Sequence, residues 1–240
     1  MKRPGLAELC DRLGLAQDAQ GALEVLLQLL ARDPGAPTSI TDPDEAADVH
    51  VADSLSALPL LRSLLPDRLQ GEAIVDIGSG AGFPGLALAV ALDRSSVDLI
   101  ESTERKCRFI SRAIEQLGLP NARAVCMRAE DWARGEGSSR YRLALARAVA
   151  ALPTLVEYAS PLLAEGGFLV AWKGTRDDAE ERRGASASRL VGMRPHGVHP
   201  VVPFPGSRRR HLHVFEKHEP TPPGIPRRAG MARKRPLGGK

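Results

Sequence analysis

Glycines 78, 80, 82 and 85, with the acid Asp76 two positions ahead of the first, are the residues of this chain whose types and spacing best suit ligand chemistry. They close an apolar, β-branched run, Ala73-Ile-Val-Asp-Ile77, and Pro84-Gly85 then open an Ala/Leu-rich stretch that reads as a helix to about Leu92. Strand, glycine turn and helix in that order make the first unit of a nucleotide-type α/β domain. Glycine admits positive φ and lets a ligand approach the backbone, and a helix start offers free N–H groups. Gly80, Gly82 and Gly85 also fit the dinucleotide pattern G-x-G-x-x-G, so a nucleotide-dependent oxidoreductase is one reading and a purely structural βα turn another.

Asp76 just ahead of Gly78-Ser-Gly80-Ala-Gly82 instead resembles the first motif of S-adenosylmethionine-dependent methyltransferases, in which the turn backs onto an amino acid and a ribose. Pro84 supports that side, because it removes an N–H where a pyrophosphate site needs donors. A second strand, Val97-Asp-Leu-Ile-Glu101, ends in an acid about twenty residues past the turn, where a carboxylate accepts ribose hydroxyls in either ligand class. A third strand, Asn121 to Met127, leads to Ala129-Glu130-Asp131-Trp132. That polar pair either meets an adenine amino group or caps a short helix. Arg147 ends a fourth strand, Arg142–Arg147, at the carboxyl edge where such sheets bind ligands. Its guanidinium either holds a carboxylate, orients a base, or pairs with a neighbouring acid. Lys173, at the next strand end, is a candidate phosphate contact or a solvent-facing lysine. His50, Asp53 and Ser54 either touch substrate or pack their helix.

The elements that must position these side chains alternate. Helical sequence runs over Glu104–Leu117, Leu152–Leu163 and Asp177–Leu190, with strands at Gly167–Lys173, Met193–Val202 and His211–Lys217. Alternation predicts a mainly parallel sheet with helices on both faces. No helix separates the last two strands, so they are expected as an antiparallel hairpin at one edge. Residues 1–71 read as a helical extension with an apolar stripe, Leu23, Leu26, Leu27 and Leu30, and a second helical stretch, Ala46–Leu65. The three prolines of Asp33–Pro43 mark a loop between them. Residues 72–217 form the expected ligand-binding domain.

At 240 residues the chain suits one core with an accessory segment. It lacks an apolar run of about 18 residues and a leader-like start, which predicts a soluble, cytoplasmic protein with no membrane partner. Cys10, Cys107 and Cys126 are widely spaced, which argues against disulfides and against a metal site. The net charge of +4 conceals an asymmetry: residues 206–240 hold ten Lys/Arg against two acids. Arg208-Arg-Arg210, Arg227-Arg228 and Arg233-Lys-Arg235, with prolines between, read as a flexible phosphate-seeking arm or a solubilising tail. Residues 218–240 are expected to be disordered.

Taken together, the chain is similar to the bacterial small-subunit (16S) ribosomal RNA guanine-N7 methyltransferases, historically called glucose-inhibited division protein B. The pieces that carry the resemblance are Thr38-Ser39, Asp42-Pro43, His50-Val-Ala-Asp-Ser54, Asp76 through Gly85, Arg105-Lys-Cys-Arg-Phe109, Arg128-Ala-Glu130, Ala146-Arg-Ala148 and Lys173-Gly174. They occur in family order. The resemblance implies a Rossmann-like class I methyltransferase fold, α/β, with a mostly parallel seven-stranded sheet, an antiparallel C-terminal hairpin and an N-terminal helical extension. It also implies S-adenosylmethionine as cofactor and small-subunit ribosomal RNA, free or in the 30S particle, as substrate, with a monomer favoured. By position, Gly78, Phe83, Ala129, Glu130 and Arg147 resemble the family's cofactor contacts, joined by Gly80, Gly82 and Glu101 from the turn and second strand; Arg147 is also the catalytic candidate. Two departures stand out. Asp33-Pro-Gly-Ala-Pro37 replaces an aromatic and Asn-rich segment, and Glu101 stands where Asp is common. A small-molecule methyltransferase and a non-catalytic RNA-binding assembly factor are the competing readings.

Overall fold

The structure is a computed structural model that describes residues 5–40, 42–66 and 69–239. Seven strands form one sheet: β1 (Ala73–Ile77), β2 (Ser96–Ile100), β3 (Ala122–Val125), β4 (Tyr141–Arg147), β5 (Leu163–Lys173), β6 (Met193–Val201) and β7 (Arg210–Lys217). Their order is β3-β2-β1-β4-β5-β7-β6. The first five run parallel, whereas β7 pairs antiparallel with both β5 and β6, which is the C-terminal hairpin expected from the missing crossover helix. The strand order reverses between β1 and β4, the switch point at which open α/β sheets hold ligands beyond their strand ends.

Alternate residues of each strand feed two cores, because side chains leave a strand on opposite faces. Ile74, Leu99, Leu143 and Leu145 pack on one face, and Val75, Ile77, Ala144 and Leu169 on the other. The first face is covered by α1 (Leu6–Leu13), α2 (Ala19–Arg32) and helices that follow β1 and β2 in the chain, α6 (Gly85–Ala91) and α7 (Glu104–Leu117). The predicted stripe Leu23, Leu26, Leu27 and Leu30 is buried there beside Phe83, Leu86 and Phe109. The second face carries α9 (Leu152–Ala159) and α10 (Asp178–Arg189).

The helical stretch expected over Ala46–Leu65 is built in pieces. Asp42 caps α3 (Pro43–Ala46) by accepting the Glu45 N–H at 2.8 Å. A π-helical turn, Ala47–Ala52, follows, then α4 (Asp53–Leu55) and α5 (Leu58–Leu64). The break before α5 has a covalent cause: Pro59 carries no N–H to continue the helical ladder. The π turn carries His50, with Asp53 directly after it, and both side chains meet Arg147.

A second expectation fails at the C-terminus. The disordered tail expected for residues 218–240 is instead fastened to the domain at several points of its described part. Arg227 forks onto Glu157 of α9 at 2.7 and 2.6 Å, and Thr154 Oγ1 donates to the Ala232 carbonyl at 3.2 Å. Ala232, in α11 (Met231–Lys234), is buried in the second core. Arg227, one of the arginines that suggested a loose arm, is what docks it. Glu157 is almost fully buried, and a buried carboxylate demands a cation. Composition reports the charge but not the partner.

Candidate functional site

The turn after β1 takes a shape only glycine holds easily, with φ of +69° at Gly78, +61° at Gly80 and +89° at Gly82. Its acid, Asp76, is fully buried and accepts the Gly85 N–H at 2.9 Å, which fixes the start of α6 against the strand end. Burial raises the Asp76 carboxyl to about 6, opposed by the Gly85 hydrogen bond. Its other oxygen, Oδ1, has no hydrogen-bond partner. A Cβ added at Gly85 would come within 3.0 Å of Leu99 and Asp76, so this glycine is a packing requirement. At Gly80 the nearest atom to such a Cβ lies 3.9 Å away, so that side of the turn faces free space.

Two clefts open at the carboxyl ends of the central strands. The first is lined by Gly78, Glu101, Ala129, Glu130, Val149 and Tyr158, and on its rim by Arg233. Glu101, at the end of β2, is buried and its carboxylate is preset by two backbone donors, Gly80 N–H at 3.2 Å and Thr103 N–H at 2.8 Å. Each oxygen keeps a further lone pair for a hydroxyl. Ala129 and Glu130 sit in the first turn of α8 (Ala129–Trp132), where Glu130 Oε1 accepts the Gly230 N–H at 2.7 Å. The second cleft is lined by His50, Asp53, Arg147, Trp172, Lys173 and Arg210. Ala148, held at φ +57°, separates Arg147 in the second cleft from Val149 in the first.

Residues 35–205 match the family model described as rRNA small subunit methyltransferase G. A protein named ribosomal RNA small subunit methyltransferase G from Rubrobacter xylanophilus is 44% identical over 202 residues, covering 82% of this chain and 76% of the relative. One of the same name from Pelotomaculum thermopropionicum is 39% identical, covering 83% and 82%. The chain belongs to the rRNA small subunit methyltransferase G family. Among solved structures, a mutant of MtNAS in complex with S-adenosylmethionine superposes with a TM-score of 0.58 at 15% identity, covering 90% of this chain and 84% of that one. Aeropyrum pernix fibrillarin with natively bound S-adenosyl-L-methionine gives 0.53 at 16%, covering 69% and 76%. At such identities these two establish the fold, a class I methyltransferase.

In this methyltransferase, Gly78, Glu101, Ala129 and Glu130 converge on the first cleft, and Gly80 and Gly82 shape the turn beside it. Of the two residues grouped with them by the family resemblance, Arg147 lines the other cleft and Phe83 lies in the core behind its His50. Phe83 is buried and stacks on the His50 ring at a centroid distance of 4.9 Å. The Arg147 guanidinium lies 5.6 Å over the same phenyl ring. Arg147 Nη1 donates to Asp53 Oδ2 and to the Val49 carbonyl, each at 2.9 Å. A strand-end arginine is expected to contribute little to stability; instead Arg147 clamps the π-helical turn to the sheet. Lys173, a candidate phosphate contact, pairs with Glu180 at 2.6 Å at the cleft wall.

His50 is neutral in this setting, since burial, reinforced by the Arg147 charge, pushes its pKa down to about 4. Arg147 Nη2 lies 3.4 Å from Nδ1 and can only donate, so Nδ1 accepts and Nε2–H is left to donate to Thr38 Oγ1 at 3.0 Å. Arg210 reaches Asp53 Oδ1 at 3.5 Å. Sequence reasoning missed Arg210 as a cleft residue because β7 enters the sheet out of chain order. It missed Arg233 because nothing local links that residue to Glu130, whose partner Gly230 lies a hundred positions later. Among the described residues no group of three or more His, Cys, Asp or Glu side chains is arranged to hold a metal, and no helix is long and apolar enough to cross a membrane.

Proposed function

We propose that this chain transfers the methyl group of S-adenosylmethionine to N7 of a guanine in small-subunit ribosomal RNA, with cofactor in the first cleft and base in the second. The carrying observation is the shared wall: Gly78 and Val149 on one side, Arg147 on the other, with one strained residue, Ala148, between the last two. The donor set suits the cofactor. Glu101 offers two preset acceptors to a ribose diol, the Gly80 backbone leaves room beside them, and Tyr158 and Val149 offer apolar surface to a purine. The cofactor supplies an electrophilic methyl group on a sulfonium.

Guanine N7 carries an in-plane lone pair and no proton, so transfer needs alignment and no general base. A neutral His50 with both nitrogens engaged is consistent with that demand. Three of the five Arg147 N–H donors are engaged by Val49, Asp53 and His50, which leaves others for an acceptor in the cleft. Guanine O6 is the fitting acceptor, because a donor on N7 would block the attacking lone pair. Arg147 is thus the catalytic candidate, holding the base by O6 and leaving N7 free. Arg210 and Lys173 lie on the same wall and suit flanking phosphates.

Residues 72–217 carry the chemistry in this reading, residues 1–71 supply one wall of the base cleft, and the protein acts in the cytoplasm, as a monomer, on ribosomal RNA or the 30S particle. The test is single-turnover transfer of a radiolabelled methyl group to 30S particles and to free 16S RNA, with the modified position mapped. Label at a guanine N7 bears the reading out. Label on an exocyclic amine or ribose oxygen, or no transfer to either RNA, overturns it.

A further inference from the structure

We propose that the C-terminal segment, residues 220–239, is a wall of the cofactor cleft, and that Arg233 is a cofactor-binding residue that closes over the adenine end. The inference rests on reading the first cleft as the cofactor site. The segment lies outside residues 35–205, which match the family model.

The segment is anchored from three directions, each at the back of that cleft. Arg227 forks onto Glu157, the residue before Tyr158. Thr154, one turn earlier on α9, holds the Ala232 carbonyl. Gly230, at φ +82°, turns the chain so that its N–H meets Glu130 Oε1, itself a cleft residue. Those anchors leave Arg233 on the rim beside Glu130 and Tyr158. Tyr158 registers both neighbours: burial raises its pKa first, the Glu130 charge adds to the rise, and the Arg233 charge opposes it.

An arginine there suits a purine better than a phosphate. The cleft already contains Glu101 and Glu130, which repel anions, whereas a planar guanidinium stacks on a base and donates in plane to ring nitrogens. Ala129 and Glu130 follow β3, two strands away from the β1 end that carries Gly78, so Arg233, on the Glu130 side, meets the adenine and not the amino acid. The arginines that looked like an RNA-seeking tail therefore divide by role: Arg227 docks the segment, and Arg233 serves the cofactor.

The experiment is calorimetric titration of the full-length protein with S-adenosylhomocysteine and with methylthioadenosine, which lacks the amino acid. Arg233→Ala is expected to weaken both ligands by the same factor, about tenfold, with an unchanged melting temperature. Arg233→Lys should recover only part, and Lys234→Ala, one position on, should bind as the wild type does. The inference is overturned if Arg233→Ala binds both ligands normally, if only S-adenosylhomocysteine is weakened, or if Lys234→Ala matches its loss. Wild-type protein that binds neither ligand overturns the cofactor-cleft reading, and this inference with it.

Discussion

Arg147 at the end of β4 and Asp53 at the start of α4 meet at 2.9 Å, ninety-four positions apart in the chain. Both side chains are largely buried, at 15% and 9% exposure, and Arg210 approaches the other oxygen of Asp53. This pair joins the N-terminal helices to the sheet where the two clefts adjoin, so under the proposed function stability and catalysis are coupled there.

Removing the guanidinium should therefore cost more than activity. Arg147→Ala leaves Asp53 buried with Arg210 as its remaining cation, and a loss of about 2–4 kcal/mol is expected. Arg147→Lys keeps the charge but loses the fork, so it should recover most of the melting temperature and little of the transfer rate. Thermal melting and single-turnover transfer on the same samples read the two effects apart. An alanine variant that melts and methylates as wild type does would remove Arg147 from both roles.

Two glycines of one turn should respond in opposite ways. Gly85→Ala drives a methyl group into Leu99 and Asp76, so a destabilised or insoluble protein is expected. Gly80→Val meets open space within the protein but carries a backbone penalty of about 1–2 kcal/mol and fills the cofactor side. Folded protein that no longer binds S-adenosylmethionine is the expected outcome, measured by circular dichroism and calorimetry.

Asp76 makes a prediction in pH. Its folded pKa, about 6, lies above the ordinary value of 3.8, so its contribution to stability is full below the lower value and is lost as pH rises through the upper one. Asp76→Asn cannot ionise and keeps an oxygen for the Gly85 N–H. Relative to wild type, the variant should gain on the order of 1–3 kcal/mol between pH 4 and 7. Urea midpoints at the two pH values check this; a difference independent of pH would show that Asp76 titrates normally.

RNA association is best probed away from the docked C-terminal segment. Arg208 and Arg209 are exposed in the turn before β7, next in the chain to Arg210 of the second cleft. Replacing both by alanine should lower affinity for 16S RNA and flatten the log K against log salt slope by roughly 0.7–0.9 for each phosphate that is no longer neutralised. Cofactor affinity should stay unchanged. An unaltered slope would place the RNA elsewhere.

The periodic parts of this protein were written in its sequence. Alternating strands and helices, the glycine turn, the acid at Glu101 and the leucine stripe of α2 all follow from local rules: side chains repeat on one face, glycine alone takes positive φ freely, and a missing crossover helix leaves a hairpin. Those rules reached Gly78, Glu101, Ala129 and Glu130 of the first cleft because these residues come from consecutive βα units. They singled out His50, Asp53, Arg147 and Lys173 but could not assemble the second cleft, whose parts arrive from a π-helical turn, from β4, and from β7 inserted out of order beside β5. Nor did they reach the docking of the C-terminal segment. A run of arginines and prolines looks the same whether it wanders in solvent or forks onto a buried glutamate, and only the folded chain puts Glu157 beneath Arg227 and Glu130 beside Gly230.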